Sequence, residues 1–450
     1  MRKIPLIRNL FGKIPNKLKY YPTFGSTLKE IKKTQLYSKR EIEKYQYNKL
    51  YALLKHSEET VPWYNKSFKK HGISYKDFKC VEDIQKFPFI TKEEIRDNIE
   101  LFVSNKFDAK KLIYVTTGGS TGIPFGFYIS NKQQIFEYAF FNHSWGFQDI
   151  HSMKNTSVVL RGGYTGSKEE LFYYEPITRE WHFSIYNLNE SNFQKYYNKL
   201  CAIKPKFIQA YPSAILQFSN YMLEKGLSFE IDTVMLGSEN LFSWQEKIIK
   251  KAFKTNIHSW YGQAEKVCLA TQTKKSKLFH CYPQYGLTEL INSNEDYLKI
   301  EGETGQIVGT SFINFAMPFI RYKTLDFATL SKDDNTEMPN CLKFSKIVGR
   351  SQEFIFSKNN TRISMAAINM HDDIFDEIKQ FQFYQDTPGF IILKLVPKKT
   401  ITTRTIKKIK LGLAAKLGDA YKLEVQIVDK INLSKSGKFR MLDQKLQFHN

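Results

Sequence analysis

Through the middle of this chain, short apolar runs alternate with amphipathic stretches, and that alternation narrows the fold more than any other feature. Val158-Val-Leu160 and Thr233-Val-Met-Leu236 read as strands, and residues 193–203 and 214–224 as helices. Such alternation buries its apolar faces in an α/β layered domain. Residues 39–69 read as helical, with Ile42, Tyr45, Leu50, Leu53 and Leu54 at helical spacings. After Gly305 the pattern changes to close-spaced strands at 306–312 and 342–347. Beyond Gly349-Arg350-Ser351, residues 381–385 and 390–395 read as strands, Thr403–Leu417 as a basic helix and 422–428 as a strand. Lys435-Ser-Gly-Lys438 then makes a turn. A chain of 450 residues exceeds one compact core of ordinary size. The expectation is two domains: 1–348, and 349–450 as an α+β unit small enough to rotate as a lid.

Tyr114-Val-Thr-Thr-Gly-Gly-Ser-Thr-Gly-Ile-Pro124 leads two β-favouring residues into four hydroxyl residues and three glycines. Glycines let backbone N–H groups converge on one concavity, and a nest of amides and hydroxyls suits a polyphosphate. Neither G-x-x-x-x-G-K-[ST] nor G-x-G-x-x-G is present here. Taken alone, the segment is equally consistent with a surface turn.

Five further segments follow in order: Gly237-Ser-Glu239, Tyr261-Gly-Gln-Ala-Glu265, Arg321-Tyr-Lys-Thr-Leu-Asp326, Gly349-Arg350 and Ser436-Gly-Lys438. In this order and at these intervals they resemble the adenylate-forming superfamily of acyl-CoA synthetases, peptide-synthetase adenylation domains and luciferases. Val61-Pro-Trp-Tyr64, Phe87-Pro-Phe-Ile-Thr-Lys92 and Tyr211-Pro-Ser213 resemble its phenylacetate–CoA ligase branch, especially members encoded with capsule and surface-polysaccharide genes. The resemblance implies a large layered N-terminal domain of β-sheets flanked by helices, a small β-barrel-like subdomain, and a small mobile α+β C-terminal domain. It implies an ATP-dependent, AMP-forming ligase that activates a carboxylic acid as acyl-adenylate. The acyl group would pass to CoA, a carrier thiol or an amine, such as an amine on an activated sugar in surface-polysaccharide synthesis.

The same resemblance assigns roles. Thr116, Thr117, Gly118, Gly119, Ser120, Thr121 and Gly122 would cradle the phosphates of ATP. Gly237, Ser238 and Glu239 would lie near the adenine, with Tyr261 and Gly262 flanking it. Glu265 would hold Mg²⁺, a job that suits a carboxylate beside phosphate oxygens. Asp326 would accept the ribose hydroxyls. Arg350 would touch ribose or phosphate and mark the hinge. Lys438 would reach the substrate carboxylate and α-phosphate, where a cation stabilises the transition state. Tyr285-Gly-Leu-Thr-Glu289 is a second match to the metal motif, but its place before Leu290-Ile291 marks Glu289 as a strand residue. Phe140, Phe141, Trp145 and Tyr211 are candidates for the acyl pocket or for core. Two departures stand out: Ile123 where relatives carry Lys, and Leu325 where they carry Gly. A Leu at positive φ costs strain. These departures motivate a second reading, a nucleotide-binding scaffold with an eroded site.

Sixty-seven basic residues face 45 acidic ones. Much of the excess is Lys along helical surfaces, and no zinc-finger spacing, RRM signature or Arg-rich stripe supports nucleic-acid binding. The first 33 residues carry nine Lys or Arg and only Glu30 as an acid, which suits a transient contact with an anionic membrane surface. No run of eighteen apolar residues occurs. Five scattered cysteines suggest reduced thiols and the cytoplasm. Cys268, His280, Cys281 and Cys341 form no C-x₂-C pair, and no zinc is expected.

Overall fold

The computed structural model describes residues 23–117, 125–150, 154–161, 170–176, 178–333, 337–350, 354–358, 362–364, 377–417, 421–432 and 439–446. The stretch read as one helix over 39–69 is two, Lys39–Thr60 and Pro62–Lys70. Ser38 and Glu41 cap the first reciprocally, as a capping box. Val61 is extended, and Pro62 opens the second, where its missing N–H costs nothing. A proline that both ends one helix and starts the next explains the break.

β1 (Ile113–Thr117) and β2 (Phe125–Ile129) pair as a separate antiparallel ribbon, with Thr117 opposite Phe125. Twelve strands then form one sheet. They are β3 (Ser157–Leu160), β4 (Phe172–Glu175), β5 (Glu180–Phe183), β6 (Phe207–Ala210), β7 (Thr233–Leu236) and β8 (Asn256–Gly262). The rest are β9 (Leu269–Thr271), β10 (Phe279–Cys281), β11 (Gly286–Ile291), β12 (Thr304–Ser311), β13 (Tyr322–Ser331) and β14 (Lys343–Arg350). Across the sheet the order is β11-β12-β13-β14-β10-β9-β8-β7-β6-β3-β5-β4. The run β5-β3-β6-β7-β8 is parallel, and every other pairing is antiparallel.

The parallel part is covered on both faces, as such sheets require. Period-two alternation along β7 sends Val234 and Leu236 into one core and Met235 into the other. On the first face they meet Leu200, Ile215, Phe218, Ile249 and Phe253 from the helices Glu190–Ile203, Pro212–Glu224 and Ser243–Phe253. On the second, Met235 and Trp260 meet Phe140 and Trp145 of the helix Asn131–Gly146. Fully burying one such apolar side chain stabilises by about 1.5–3 kcal/mol, so these two layers hold the sheet edge rigid.

The last strands form β15 (Phe354–Phe356) with β16 (Arg362–Ser364), and a four-stranded sheet of β17 (Ile378–Thr387), β18 (Phe390–Pro397), β19 (Lys422–Ile427) and β20 (Leu442–Gln444). The helix Thr403–Leu417 covers that sheet through Ile409, Leu413 and Leu417, giving it its own core. Trp244 packs against Phe381 with ring centroids 6.2 Å apart, seating this unit on the larger one. β14 runs to Arg350, so the expected boundary at 349 falls inside a strand of the large sheet.

Candidate active site

The parallel pairing of four strands stops on a common line. Leu160 pairs with Ala210, Ala210 with Leu236, and Leu236 with Ser259. The next residue on each strand is therefore Arg161, Tyr211, Gly237 or Trp260, side by side at the carboxyl edge, where α/β sheets present ligand sites. All four line a cavity of about 910 Å³, together with Phe141, Ser238, Glu239, Tyr261, Gly262, Glu265, Asp326, Gly349 and residues 439–442. Tyr211–Ser213, Gly237–Glu239, Tyr261–Glu265, Asp326 of the 321–326 segment and Gly349 thus converge, although 21 to 55 residues lie between successive segments.

Gly237 owes its identity to Trp260. A Cβ there would sit 2.6 Å from Cε2 of that indole, closer than any side chain tolerates. Ser238 follows at φ +69°, a left-handed conformation uncommon for serine, and its hydroxyl accepts from Arg161 Nη2 at 2.6 Å. Glu239 reaches across to the first turn of the helix Pro212–Glu224. Its carboxylate accepts from the Ser213 N–H (2.9 Å) and hydroxyl (3.1 Å), a favourable place for an anion. Glu239 Oε1 also accepts from the Phe439 N–H at 3.2 Å. That bond carries the residue after Lys438 onto the rim of the cavity.

The second wall comes from β8 and β13. Tyr261 Oη donates to Asp326 Oδ2 at 2.7 Å and accepts from Gln263 Nε2 at 3.1 Å. Burial, then the adjacent Asp326 charge, push the Tyr261 phenol well above its ordinary pKa. Asp326 lies directly opposite Arg350 across β13–β14, so the strand register alone brings those two positions together. Leu325 has φ +62° and is 38% exposed; the strain anticipated for a side chain at this position is present.

Glu265 is 6% exposed, and its Oε1 accepts from Tyr322 Oη at 3.0 Å. No partner for Oε2 occurs among the described residues. A buried carboxylate with one oxygen engaged and one available fits a hard divalent cation. Tyr322 stacks on Phe125, centroids 6.3 Å apart at 10°, and Phe125 closes the β1–β2 connection. The base of that connection and Glu265 are thus joined through one tyrosine.

Glu289 sits elsewhere. It lies in β11, where Arg321 Nη2 donates to it at 2.9 Å, Arg321 Nε at 3.1 Å and Tyr297 Oη at 2.5 Å. Both members of that ion pair are buried, which matches its reading as a strand residue. Phe141 and Tyr211 line the cavity, whereas Phe140 and Trp145 lie in the core beneath it. Cys268 accepts from Thr288, Cys341 donates to the Met338 carbonyl, and among the described residues no three His, Cys, Asp or Glu side chains gather at metal-ligating spacing. Gly118, Gly119, Ser120, Thr121, Gly122, Ile123 and Lys438 lie outside the described residues, as do the side chains of Thr116, Thr117 and Arg350. Residues 1–22 of the basic N-terminus also lie outside them. Among the described residues, no helix is long and apolar enough to cross a membrane.

Sequence reasoning overlooked Arg161, the Glu137–Lys266 ion pair and the Phe439 contact. Arg161 directly follows the apolar run 158–160, and a charged residue at the end of a strand in an alternating pattern was the available signal. Lys266 pairs with Glu137 on the cavity wall, and Tyr285 Oη donates to the same carboxylate at 3.1 Å. Nothing local in sequence announces that pair, because its partners are 129 positions apart.

Residues 355–445 match the family model described as the CapK C-terminal domain. Over 452 residues the chain is 25% identical to Protein CapK of Staphylococcus aureus, covering 97% of this chain and 95% of that one. It is 24% identical over 340 residues to phenylacetate-coenzyme A ligase of Pseudomonas putida, covering 70% and 72%. Among solved structures, 2-hydroxyisobutyryl-CoA ligase in its postadenylation state with 2-HIB-AMP superposes with a TM-score of 0.70 at 15% identity, covering 89% of each chain. At that identity the superposition speaks to the fold alone.

Proposed function

We propose that this chain, which belongs to the adenylate-forming superfamily in its phenylacetate–CoA ligase-like branch, activates a carboxylic acid with ATP and passes the acyl group to CoA or another acceptor. The observation that carries the reading is convergence. Gly237–Ser238–Glu239, Tyr261, Glu265 and Asp326 line one cavity that also receives Phe439, the neighbour of Lys438.

In this reading the adenine lies against the Gly237–Glu239 turn and the ring of Tyr261. Asp326 accepts from the ribose, held in place by the Tyr261 hydroxyl. Glu265 would hold Mg²⁺, which when bound would supply positive charge against the phosphate oxygens. Thr116, Thr117, Gly118, Gly119, Ser120, Thr121 and Gly122 supply amide and hydroxyl donors to the phosphates. Lys438 stabilises charge developing between carboxylate and α-phosphate, and Arg350, the last residue of β14, contacts ribose or phosphate and marks the hinge to the C-terminal unit that follows. Rotation of the C-terminal domain then breaks the Phe439–Glu239 bond, withdraws Lys438 and opens the cavity to the acceptor. CoA, a carrier thiol and an amine on an activated sugar are the acceptor classes, the last suiting surface-polysaccharide assembly in the cytoplasm.

Hydroxylamine trapping tests this directly. The protein is incubated with ATP, Mg²⁺ and a panel of amino, aryl, fatty and dicarboxylic acids, and hydroxamate and pyrophosphate are followed together. Stoichiometric formation of both is expected for at least one acid. ATP binding without pyrophosphate release for any acid would instead favour the non-catalytic scaffold.

A further inference from the structure

Arg161 has no place in the account of nucleotide binding given above, yet it occupies the cavity wall. Its guanidinium carbon lies 5.0 Å from the Trp260 ring centroid and 5.4 Å from that of Tyr211. Two aromatic faces hold a guanidinium by cation–π attraction while leaving its edges to make hydrogen bonds. One edge donates to Ser238 Oγ at 2.6 Å. That acceptor is neutral, and among the described residues no carboxylate pairs with Arg161. The acids around it are otherwise engaged. Glu239 accepts from Ser213 and Phe439, Glu137 is paired with Lys266 and Tyr285, and Glu180 accepts from Gln209 and lies against His182. Asp326 accepts from Tyr261, and Glu265 from Tyr322.

The result is a half-buried cation, fixed in position, with five N–H donors and one of them committed to a neutral hydroxyl. A buried charge of this kind is costly unless something pairs with it. The planar fork matches a carboxylate in bidentate geometry. Phe141 and Trp260 flank the same part of the cavity with apolar surface, which suits methylene groups. The cavity must also take the nucleotide, so the remaining acyl chain is short.

We propose that Arg161 is a specificity residue that binds the second carboxylate of a short dicarboxylic acid, whose first carboxylate is the one activated. This rests on the adenylation reading and names its substrate class. Adenylation then joins one carboxylate oxygen to the α-phosphorus of ATP and expels pyrophosphate, while the distal carboxylate stays ionised against Arg161.

The test pairs each diacid with its methyl-terminated isostere: succinate against butyrate, and glutarate against valerate. Pyrophosphate release is measured for wild type, Arg161→Met and Arg161→Lys, with ATP affinity and thermal midpoint as folding controls. Wild type should favour the better diacid over its isostere by roughly a hundredfold in kcat/KM, since a site built for a polar group rejects the analogue lacking it. Arg161→Met should erase or invert that preference while holding ATP affinity within about twofold, and Arg161→Lys should restore part of it. A wild-type preference for the monoacids overturns the proposal. So does an Arg161→Met variant that loses both acids equally, or neither. If no acid of any class releases pyrophosphate, the adenylation reading itself fails. Titration calorimetry with glutarate then decides the Arg161 site: binding lost in Arg161→Met upholds it, whereas binding retained in that variant, or absent from wild type, rejects it.

Discussion

Tyr261 Oη donates to Asp326 Oδ2 at 2.7 Å, tying β8, the last parallel strand, to β13 of the antiparallel part of the sheet, across the three strands that separate them. Both groups are buried, at 9% and 6% exposure, so the bond is made away from water and its loss is felt in full. Tyr261→Phe should lower stability by about 2 kcal/mol, the scale of a hydrogen bond to a charged group. Without the Tyr261 hydroxyl, Asp326 is oriented less firmly, and ATP affinity should fall roughly tenfold, about 1.4 kcal/mol. Urea unfolding and ATP titration calorimetry read the two effects separately. An unchanged ATP affinity would detach Asp326 from the nucleotide.

Glu265→Gln keeps the volume and the acceptor for Tyr322 Oη but removes the charge. Adenylation should fall by roughly a hundredfold or more, and the Mg²⁺ concentration for half-maximal rate should rise. The thermal midpoint should stay near wild type. A rate loss with unaltered Mg²⁺ dependence would point to a role other than metal ligation.

Leu325 carries a side chain at φ +62° while remaining 38% exposed. The left-handed conformation costs an L-residue about 1–2 kcal/mol, whereas glycine adopts it freely. After the entropy that glycine adds to the unfolded chain, Leu325→Gly should stabilise by up to about 1 kcal/mol, and Leu325→Val should destabilise. Equilibrium unfolding of the three proteins checks the order.

Burial is the main reason that the His143 and His258 imidazoles are pushed down, to about 4 and about 3, with Lys32 and Lys277 as lesser contributors. The unfolded chain takes up these protons near pH 6.5, before the folded protein does. Stability is therefore fully present above that pH and is lost as pH falls towards 4, at up to about 1.4 kcal/mol per pH unit for each histidine. His258→Asn should make the slope between pH 6.5 and 4.5 shallower. An identical slope would show that other groups carry the acid sensitivity.

Much of this was legible in sequence, and the reasons differ by element. The strand Thr233–Leu236 lies where its β-branched, apolar residues placed it, because a parallel strand buried on both faces reads as a continuous apolar run. The helix Thr403–Leu417 likewise has the bounds its periodicity gave. Val61-Pro62 was read through, although a proline that can begin a helix also ends the one before. The Gly237–Glu239 turn, Tyr261 and Asp326 could be nominated because each belongs to a compact motif. Arg161, Glu137 and Phe439 could not, since each acquires meaning from register or packing between distant strands and helices.

Exchange of labelled pyrophosphate into ATP, dependent on a carboxylic acid, reports formation of the acyl-adenylate whatever the acceptor. If the chain forms an acyl-adenylate, the wild type shows acid-dependent exchange. Lys438→Ala should lower it by roughly a hundredfold or more while leaving ATP binding nearly intact, the scale of one lost transition-state donor. Wild-type exchange in that variant, or none in the native protein with any acid while ATP still binds, would contradict it.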